Sequence, residues 1–388
     1  MDRILTIISE YNPFHLGHQY HLNESINETN PTYKIAIISG NFVQRGEPSL
    51  IDKWTKTKIA LEAGFDIVIE LPTIYALSSA ENFALGAIKI ANQLKTTYLS
   101  FGSENGNIEI LENLTNLIEK NDKTYFTEIK TLISKGISYP KAQELAIQKL
   151  FGKKYSTLCT PNNILGFEYL KNLKKTKSKI TPITIKRNNS FKSATEIREI
   201  ISSNKSFRKL IPSFSFDKIE NNENLVQSIK SFEKEIFYKL RTMSEKDLKM
   251  VPDIPENMYS KIKDASGSCN DISTLLEKLK NKSITAARIK RILLYILLDI
   301  TKKDIEISKI VKPYIHVLGI NKKSKKLLSD ISKKNNVITS LKNFENQNTN
   351  KNIQRLLDID KNASNVYTLA YKNNSKSNLD YTNKLITI

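Results

Sequence analysis

Short apolar runs alternate with amphipathic segments over the first 105 residues, and this alternation limits the possible fold more than any other feature of the sequence. Four runs have the apolar character of buried strands, and three segments between them have the apolar period of helices. The predicted strands are residues 3–9, 34–39, 65–72 and 96–104, and the predicted helices are residues 17–29, 52–64 and 78–94. Strands separated by helices predict an α/β fold with a parallel sheet covered on both faces.

The alternation continues once more and then stops. A fifth strand is predicted at residues 179–187, and a helix with a Ser cap is predicted at residues 193–204. Beyond about residue 205 the sequence is mostly helical in character, with one weakly strand-helix segment at residues 313–331. We therefore expect an α/β domain at residues 1–205 and a mostly helical region at residues 206–388. Ligands of such sheets bind at the carboxyl ends of the strands.

The charge of the chain is distributed unevenly. Residues 1–150 carry 14 Lys and Arg against 17 Asp and Glu, whereas residues 151–388 carry 46 against 23. Clustered Lys and Arg bind polyanions because they release counterions from a phosphate backbone. The basic C-terminal region therefore predicts a nucleic-acid partner, although Lys-rich surfaces are also commonly just solvated.

The two cysteines and the N-terminus indicate the cellular compartment in which the protein is expected. Cys159 and Cys269 lie far apart and show no zinc-type spacing, so a reducing environment is expected. The N-terminal apolar run is too short for a signal peptide, and no segment approaches the length of a membrane span. We expect a cytoplasmic protein with no membrane partner.

Three of the four histidines fall within the stretch "HLGHQYH", directly after the first predicted strand. Pro13 and Gly17 favour a turn here, so His15 and His18 are predicted to flank a helix start, where backbone N–H groups attract anions. Two imidazoles at this position can stabilise charge on a phosphate under attack. A zinc site would need further ligands and only His21 is at hand, and a packed turn is a third interpretation.

A second motif, "SATEIR", follows the fifth predicted strand and opens a helix. Its hydroxyls and its guanidinium suit a triphosphate. Together with "HLGH" in this order, it resembles the signature of the nucleotidyltransferase superfamily, whose fold is shared with class I aminoacyl-tRNA synthetases and adenylyltransferases of cofactor synthesis. The resemblance implies a Rossmann-like nucleotidyltransferase domain, with catalytic roles for His15 and His18.

Further blocks narrow this resemblance. They are "EYNPFHLGHQYHL", "SGNFVQRGEPSLIDKWTKTKIAL", "DIVIELP", "SAENFALGAI", "FGSE", "PNNILGFEYL", "LRTMSEKDL" and "RIKRILLYILLDI". Their combination resembles the bacterial tRNA(Met) cytidine acetate ligase family as far as about residue 300. The resemblance implies an enzyme that activates acetate with ATP and acetylates N4 of the wobble cytidine of elongator tRNA(Met).

The resemblance also assigns the nucleotide site. ATP contacts are expected from the stretch that contains the histidines, namely Ile8, Ser9, Glu10, Tyr11, Asn12, Pro13, Phe14, His15, Leu16, Gly17, His18, Gln19 and Tyr20. Further contacts are expected from Gly102, Asn162, Asn163, Arg187, Ser193, Thr195 and Arg198. Of the two adjacent asparagines, Asn162 is favoured. Mg²⁺ is expected only with the ATP phosphates, since no cage of carboxylates is evident.

The remaining candidate sites concern the other two substrates. A polar loop offers Asn41, Gln44 and Arg45 for acetate or cytidine, although its Gly and Pro residues fit a structural turn nearly as well. Phosphates of the tRNA are expected at two basic segments, comprising Lys171, Lys174, Lys175, Lys177, Lys179, Arg288, Lys290 and Arg291. Any single one of these can also be a solvated charge.

Two other functions remain open from the sequence. One is an adenylyltransferase that acts on a small phosphorylated cofactor precursor, which would share both motifs but has no use for a basic C-terminal region. The other is a non-catalytic RNA-binding protein on the same fold, against which the intact His15, His18 and Arg198 argue.

Overall fold

The computed structural model describes residues 2–156, 160–281, 284–373 and 376–388. Ten strands are assigned within these ranges. They are β1 Ile4–Ser9, β2 Tyr33–Ser39, β3 Phe42–Val43, β4 Glu47–Pro48, β5 Ile67–Leu71, β6 Tyr98–Ser103, β7 Thr181–Lys186, β8 Ile315–Ile320, β9 Val337–Ile338 and β10 Ile386–Thr387.

Helices account for most of the remaining described residues. Those up to β7 are α1 Leu16–Thr29, α2 Lys53–Glu62, α3 Thr73–Ala76, α4 Ala80–Gln93, α5 Ile108–Lys120, α6 Asp122–Ser134, α7 Tyr139–Phe151, α8 Lys153–Ser156 and α9 Pro161–Lys175. Those after β7 are α10 Ala194–Ser202, α11 Ser213–Glu220, α12 Glu233–Thr242, α13 Glu245–Met250, α14 Tyr259–Ser268, α15 Ile272–Leu279, α16 Ala286–Leu297, α17 Lys302–Ile310, α18 Lys325–Ser332, α19 Leu341–Gln347, α20 Lys351–Tyr367 and α21 Leu379–Thr382. No described helix is long and apolar enough to cross a membrane.

Five parallel strands form the centre of the main sheet, in the order β5-β2-β1-β6-β7. Each is an apolar segment, and the connecting helices cover both faces, as the alternation in the sequence predicts. The predicted α/β class with a parallel sheet is confirmed. Because the strands are parallel, the loops that follow β1, β2, β6 and β7 meet at one edge, called the carboxyl edge below.

The C-terminal part of the chain extends this sheet. Strand β8 pairs antiparallel with β5, and β9 and β10 pair parallel with the outer side of β8. One hydrophobic core joins the central strands to helices from beyond residue 205. A buried hydrogen bond adds to this contact, since the Tyr75 hydroxyl donates to the Ser308 carbonyl at 2.7 Å. The division of the chain at residue 205 stays a prediction, and the structure places strands on both sides of it.

A buried ion cluster joins α2 and β5 to the C-terminal helix α21. Lys53 is fully buried, and its Nζ lies 2.8 Å from Glu70 Oε2 on β5 and 2.5 Å from Asp380 Oδ1 on α21. Burial alone would raise the pKa of Glu70, but Lys53 and His316 outweigh it and lower this pKa to about 2. Glu70, His316 and Asp380 also have the spacing of a metal triad among the described residues, yet the Lys53 ammonium already lies against both carboxylates.

The variant Lys53→Met is expected to destabilise the protein because it leaves two carboxylates buried without their cation. We expect a loss of about 3–5 kcal/mol in the free energy of unfolding, measured by chemical denaturation. Lys218→Met is the control, since Lys218 pairs with Glu62 at the surface and the loss there is expected to stay below about 1 kcal/mol. Equal losses in the two variants would contradict the claim that the buried cluster contributes more to the free energy of unfolding than a surface ion pair.

Candidate active site

The loop between β1 and α1 is fastened on two sides. Asn12 is buried; its Oδ1 accepts from the Leu50 N–H at 2.7 Å, and its carbonyl oxygen accepts from Arg198 Nη1 at 2.6 Å. The first bond ties the loop to the segment after the β3–β4 hairpin, and the second ties it to α10. The "HLGH" and "SATEIR" motifs, which are far apart in the sequence, therefore meet at the carboxyl edge.

Two imidazoles cap the start of α1. His15 is the N-cap residue, and its Nδ1 accepts from the Gly17 N–H at 3.0 Å. His18 Nδ1 accepts from the His15 N–H at 3.2 Å, and the centroids of the two rings are 3.8 Å apart. Since both Nδ1 atoms accept a hydrogen bond, each neutral ring carries its proton on Nε2. The site therefore presents two Nε2–H donors.

The surroundings keep these rings uncharged near neutral pH. Burial, and then the charge of Arg187, lowers the pKa of His15 to about 4. Burial also lowers the pKa of His18 well below its ordinary value, with further contributions from His15, His21 and Arg187. The predicted stabilisation of phosphate charge is therefore available from neutral donors rather than from imidazolium cations.

Gly17 makes room for this arrangement. A Cβ atom at position 17 would lie 2.9 Å from Cε1 and 3.0 Å from Nδ1 of His15, closer than carbon side chains pack. A side chain here would displace the His15 ring from the helix start. The glycine of the motif is thus explained by close approach to a catalytic candidate.

His21 lies one turn further along α1 and faces the sheet. Its Nε2 is 2.9 Å from Ser100 Oγ, which is itself 2.7 Å from Ser25 Oγ. Burial lowers the pKa of His21 to about 4. This network holds α1 against β6, so His21 supports the site by positioning the helix.

The candidates on the β6 and β7 side lie close together. Arg187, at the end of β7, pairs with Glu104 at 3.0 Å, and a Cβ on Gly102 would lie 3.6 Å from Arg187 Cγ. Asn163 is buried, and its Oδ1 accepts from the Glu104 N–H at 3.2 Å. The Asn163 amide thus faces the Gly102 loop. The side chain of Asn162 lies outside the described residues.

The "SATEIR" residues divide into a cap and two outward-facing groups. Ser193 caps α10 and exchanges hydrogen bonds with Glu196, so its hydroxyl is engaged. Thr195 is exposed, and its Oγ1 accepts from Arg198 Nη2 at 3.2 Å. Thr195 and Arg198 therefore remain the available groups in this motif, and Arg198 reaches the β1 loop at the Asn12 carbonyl.

The polar loop after β2 forms the β3–β4 hairpin. Asn41 is buried; its Oδ1 accepts from the Lys53 N–H at 2.9 Å, and its Nδ2 lies 3.4 Å from Ser364 Oγ. Gln44 is half-buried and donates its N–H to Glu10 Oε1 at 2.9 Å, and Arg45 is exposed. The hairpin thus brings Gln44 and Arg45 to the edge beside β1, while Asn41 faces helices.

The first basic segment lies away from this edge. Lys171 and Lys174 have acidic neighbours, Glu81 at 3.8 Å and Glu119 at 3.3 Å respectively. The other three, Lys175, Lys177 and Lys179, are exposed. Helix α9 begins near Glu104 and spans about 22 Å from its length of 15 residues. Its last turn and the following lysines therefore lie toward the amino ends of the strands.

The second basic segment, on α16, makes internal contacts. Arg288 donates to the Asp253 carbonyl at 2.8 Å, Lys290 pairs with Glu47 of β4, and Arg291 lies 3.7 Å from the Asp253 carboxylate. A Cβ on Gly46 would lie 2.5 Å from the Arg291 backbone nitrogen, so the hairpin packs directly on α16. Lys290, together with Arg291 through the Gln44 carbonyl at 3.4 Å, holds the hairpin against α16, whereas Arg288 ties α16 to the segment at Asp253.

Lys56 is a feature of the site that the sequence did not reveal. It is buried on α2, and its Nζ donates to the carbonyls of Ser39 at 2.6 Å, Gly40 at 2.6 Å and Glu10 at 3.3 Å. It thereby ties the carboxyl end of β2 to the loop after β1. In the sequence of an amphipathic helix, a buried lysine of this kind cannot be distinguished from a solvated lysine.

Comparison with known proteins places this geometry in a family. A family model described as HIGH Nucleotidyl Transferase matches residues 2–382. A protein of Thermoanaerobacter sp. (strain X514), named tRNA(Met) cytidine acetate ligase, is 40% identical over 99% of this chain and 100% of its own length. The chain belongs to the tRNA(Met) cytidine acetate ligase family. The resemblance seen in the sequence motifs is confirmed.

Other members of the ligase family agree in sequence and in structure. A ligase of the same name from Caldanaerobacter subterraneus subsp. tengcongensis is 41% identical over 99% of both chains. The crystal structure of Thermotoga maritima TmcAL bound with alpha-thio ATP superposes with a TM-score of 0.92, at 28% identity, over 100% of this chain and 99% of that chain. The apo form of the Thermotoga protein gives the same TM-score at 27% identity.

The proton positions on the two imidazoles are open to direct measurement. Selective ¹⁵N labelling of histidine is expected to show His15 and His18 as neutral Nε2–H tautomers at pH 7, and His15 neutral down to about pH 5. Substituting each histidine in turn assigns the signals. An imidazolium at pH 6, or a proton on Nδ1, would contradict the capping arrangement.

Proposed function

We propose that this chain activates acetate with ATP as acetyl adenylate and then acetylates N4 of the wobble cytidine of elongator tRNA(Met). The observation that carries the proposal is the pair of neutral Nε2–H donors at the start of α1, linked through Asn12 to Arg198. The support from relatives is identity of about 40% over the full length to ligases of this name.

The first step is a displacement at phosphorus. An acetate oxygen attacks the α-phosphorus, the bond to the pyrophosphate oxygen breaks, and pyrophosphate leaves with the electron pair. The two imidazoles donate hydrogen bonds to the oxygens on which negative charge accumulates, and the free N–H groups of α1 add to this field. No covalent intermediate with the protein is needed, so the task is positioning.

The nucleotide is proposed to lie between the β1 loop and the ends of β6 and β7. Thr195 and Arg198 hold the β- and γ-phosphates, and Arg187 contacts the nucleotide from β7. Gly102 allows the adenosine to approach the backbone, beside Asn162 or Asn163. Of these two, Asn163 already accepts a hydrogen bond from the Glu104 N–H through its side-chain oxygen. Its amide N–H groups are left for a ligand.

Mg²⁺ is proposed as a partner of the ATP phosphates, with few protein ligands. The described triad of Glu70, His316 and Asp380 does not suit Mg²⁺, because Lys53 pairs with both carboxylates.

A cytoplasmic location of the protein also stays a prediction.

Acetate and cytidine are proposed to enter beside the hairpin, next to Gln44 and Arg45. Asn41 contributes by holding the hairpin to α2. The base must leave its stack for N4 to reach the acetyl carbonyl, and an anticodon-loop base can do this at modest cost.

The function is tested by incubating the protein with ATP, labelled acetate and a tRNA(Met) transcript, with His18→Ala in parallel. The wild type is expected to place label on the RNA, and His18→Ala is expected to lose acetate-dependent pyrophosphate exchange by at least about 100-fold. The affinity for tRNA should stay within about threefold, because His18 lies on the nucleotide side.

Other outcomes separate the alternatives. Transfer of AMP to a small phosphorylated molecule would indicate an adenylyltransferase, and salt-sensitive RNA binding without ATP turnover would indicate a binding protein. Equal loss of exchange and of tRNA affinity in His18→Ala would contradict the role given to this residue.

The lysines at the end of α9 and directly after it are proposed to bind tRNA phosphates. Replacing Lys175, Lys177 and Lys179 together by Gln should weaken tRNA binding and lower the slope of log affinity against log salt by roughly 0.7–0.9 for each phosphate that is no longer neutralised. The matched triple at Lys205, Arg208 and Lys209 removes as much charge from an exposed loop near the start of α1. A slope changed only by the second triple would place the RNA on the carboxyl edge instead.

A further inference from the structure

We propose that Glu10 is the catalytic base of the second step, accepting the proton that leaves cytidine N4 during acetyl transfer. This inference rests on the proposed function and gives a chemical role to a residue that the sequence associates only with the nucleotide. It follows from the position of the Glu10 carboxylate, the tautomers of the histidines and the engagement of the neighbouring acids.

Glu10 lies where five parts of the molecule converge, namely β1, the hairpin, α2, α9 and α10. It follows β1 directly; its Oε1 accepts from the Gln44 N–H at 2.9 Å, and its carbonyl accepts from Lys56 at 3.3 Å. Its charge also acts on Arg198 of α10 and Tyr169 of α9. Glu10 is half-buried, and its carboxylate is held through Oε1, beside the β1 loop and the hairpin.

The transfer step requires a proton acceptor. The N4 lone pair attacks the acetyl carbonyl carbon, the bond from that carbon to the phosphate oxygen breaks, and AMP leaves with the electron pair. The amino group begins with two hydrogens and the product amide keeps one. The other leaves as a proton, which Glu10 Oε2 takes and later releases to water.

The two imidazoles are unsuited to this task. Their Nδ1 atoms already accept backbone N–H bonds, and their Nε2 atoms carry protons. They are donors in both steps, which suits them to the phosphate oxygens and to the departing AMP. The base must therefore come from another group at the carboxyl edge.

Four other acids near this edge are engaged, and a fifth, Glu199, is an exposed side chain that serves as the control below. Glu47 holds Lys290 and the Ile229 N–H, Glu104 holds Arg187, and Glu196 caps α10. Asp52 caps α2 through the Thr55 N–H at 2.8 Å. Within the described ranges of the chain, by contrast, no cationic side chain lies within 4.0 Å of the Glu10 carboxylate. Glu10 is thus free to take a proton without losing an ion pair.

The test separates the two steps in the variant Glu10→Gln, which retains an oxygen for the Gln44 N–H but cannot take a proton. Acetyl adenylate is formed first with pyrophosphatase present, and tRNA(Met) is then added for a single turnover. Acetate-dependent pyrophosphate exchange should fall much less than transfer does, because the amide keeps the shape of the side chain and the hydrogen bond to Gln44. Transfer to RNA should fall by at least about 100-fold, the usual scale for loss of a general base.

A matched control excludes a general effect of lost negative charge near Arg198. Glu199→Gln neutralises an exposed acid whose charge also acts on Arg198, and it should leave both steps unchanged.

Two results would overturn the assignment. Exchange and transfer falling by the same factor would mean that Glu10 holds the loop or the nucleotide, and an unchanged transfer rate would mean that another base acts. A wild-type protein that binds tRNA and forms acetyl adenylate but leaves the RNA unlabelled would instead refute the proposed function.

Discussion

The hydrogen bonds from the His15 and Gly17 N–H groups to imidazole Nδ1 atoms are the interactions on which the site depends. Helices usually begin with a Ser, Thr, Asp or Asn cap, whose side chain ends at the hydrogen bond it makes. An imidazole cap differs, because its second nitrogen remains available on the far side of the ring. Capping therefore orients two N–H donors and at the same time prevents them from acting as bases.

The groups on the two sides of β1 also differ in charge. On the β6 and β7 side, Arg187 and Arg198 provide the positive charge that a nucleotide requires. On the β2 side, Lys56 ties the Ser39 and Gly40 carbonyls to Glu10, and the Gln44 N–H orients the Glu10 carboxylate. The side chains beside β1 thus change from anion-binding on its β6 side to carboxylate on its β2 side, over the width of two strand spacings, about 10 Å.

The sequence allowed the five parallel strands to be predicted, because apolar runs and capped helices are local signals. It did not allow the β3–β4 hairpin to be assigned, since two-residue strands have no period. The weak strand-helix segment at residues 313–331 does contain β8, but its antiparallel place beside β5 depends on pairing between distant parts of the chain. For the site, "HLGH" and "SATEIR" indicated which residues meet. Long-range packing decided that Asn41 faces helices and that Lys290 pairs with Glu47. The sequence around residue 380 likewise gave no sign that Asp380 would be buried against Lys53.

The most direct test of this mechanism is a crystal structure with a stable analogue of acetyl adenylate in which a sulfamate replaces the phosphate. We expect the sulfamate oxygens within hydrogen-bond distance of the Nε2 atoms of His15 and His18, and the acetyl group on the hairpin side, facing Glu10. An acetyl group directed toward β7, or imidazoles that meet the sulfamate through Nδ1, would contradict the mechanism.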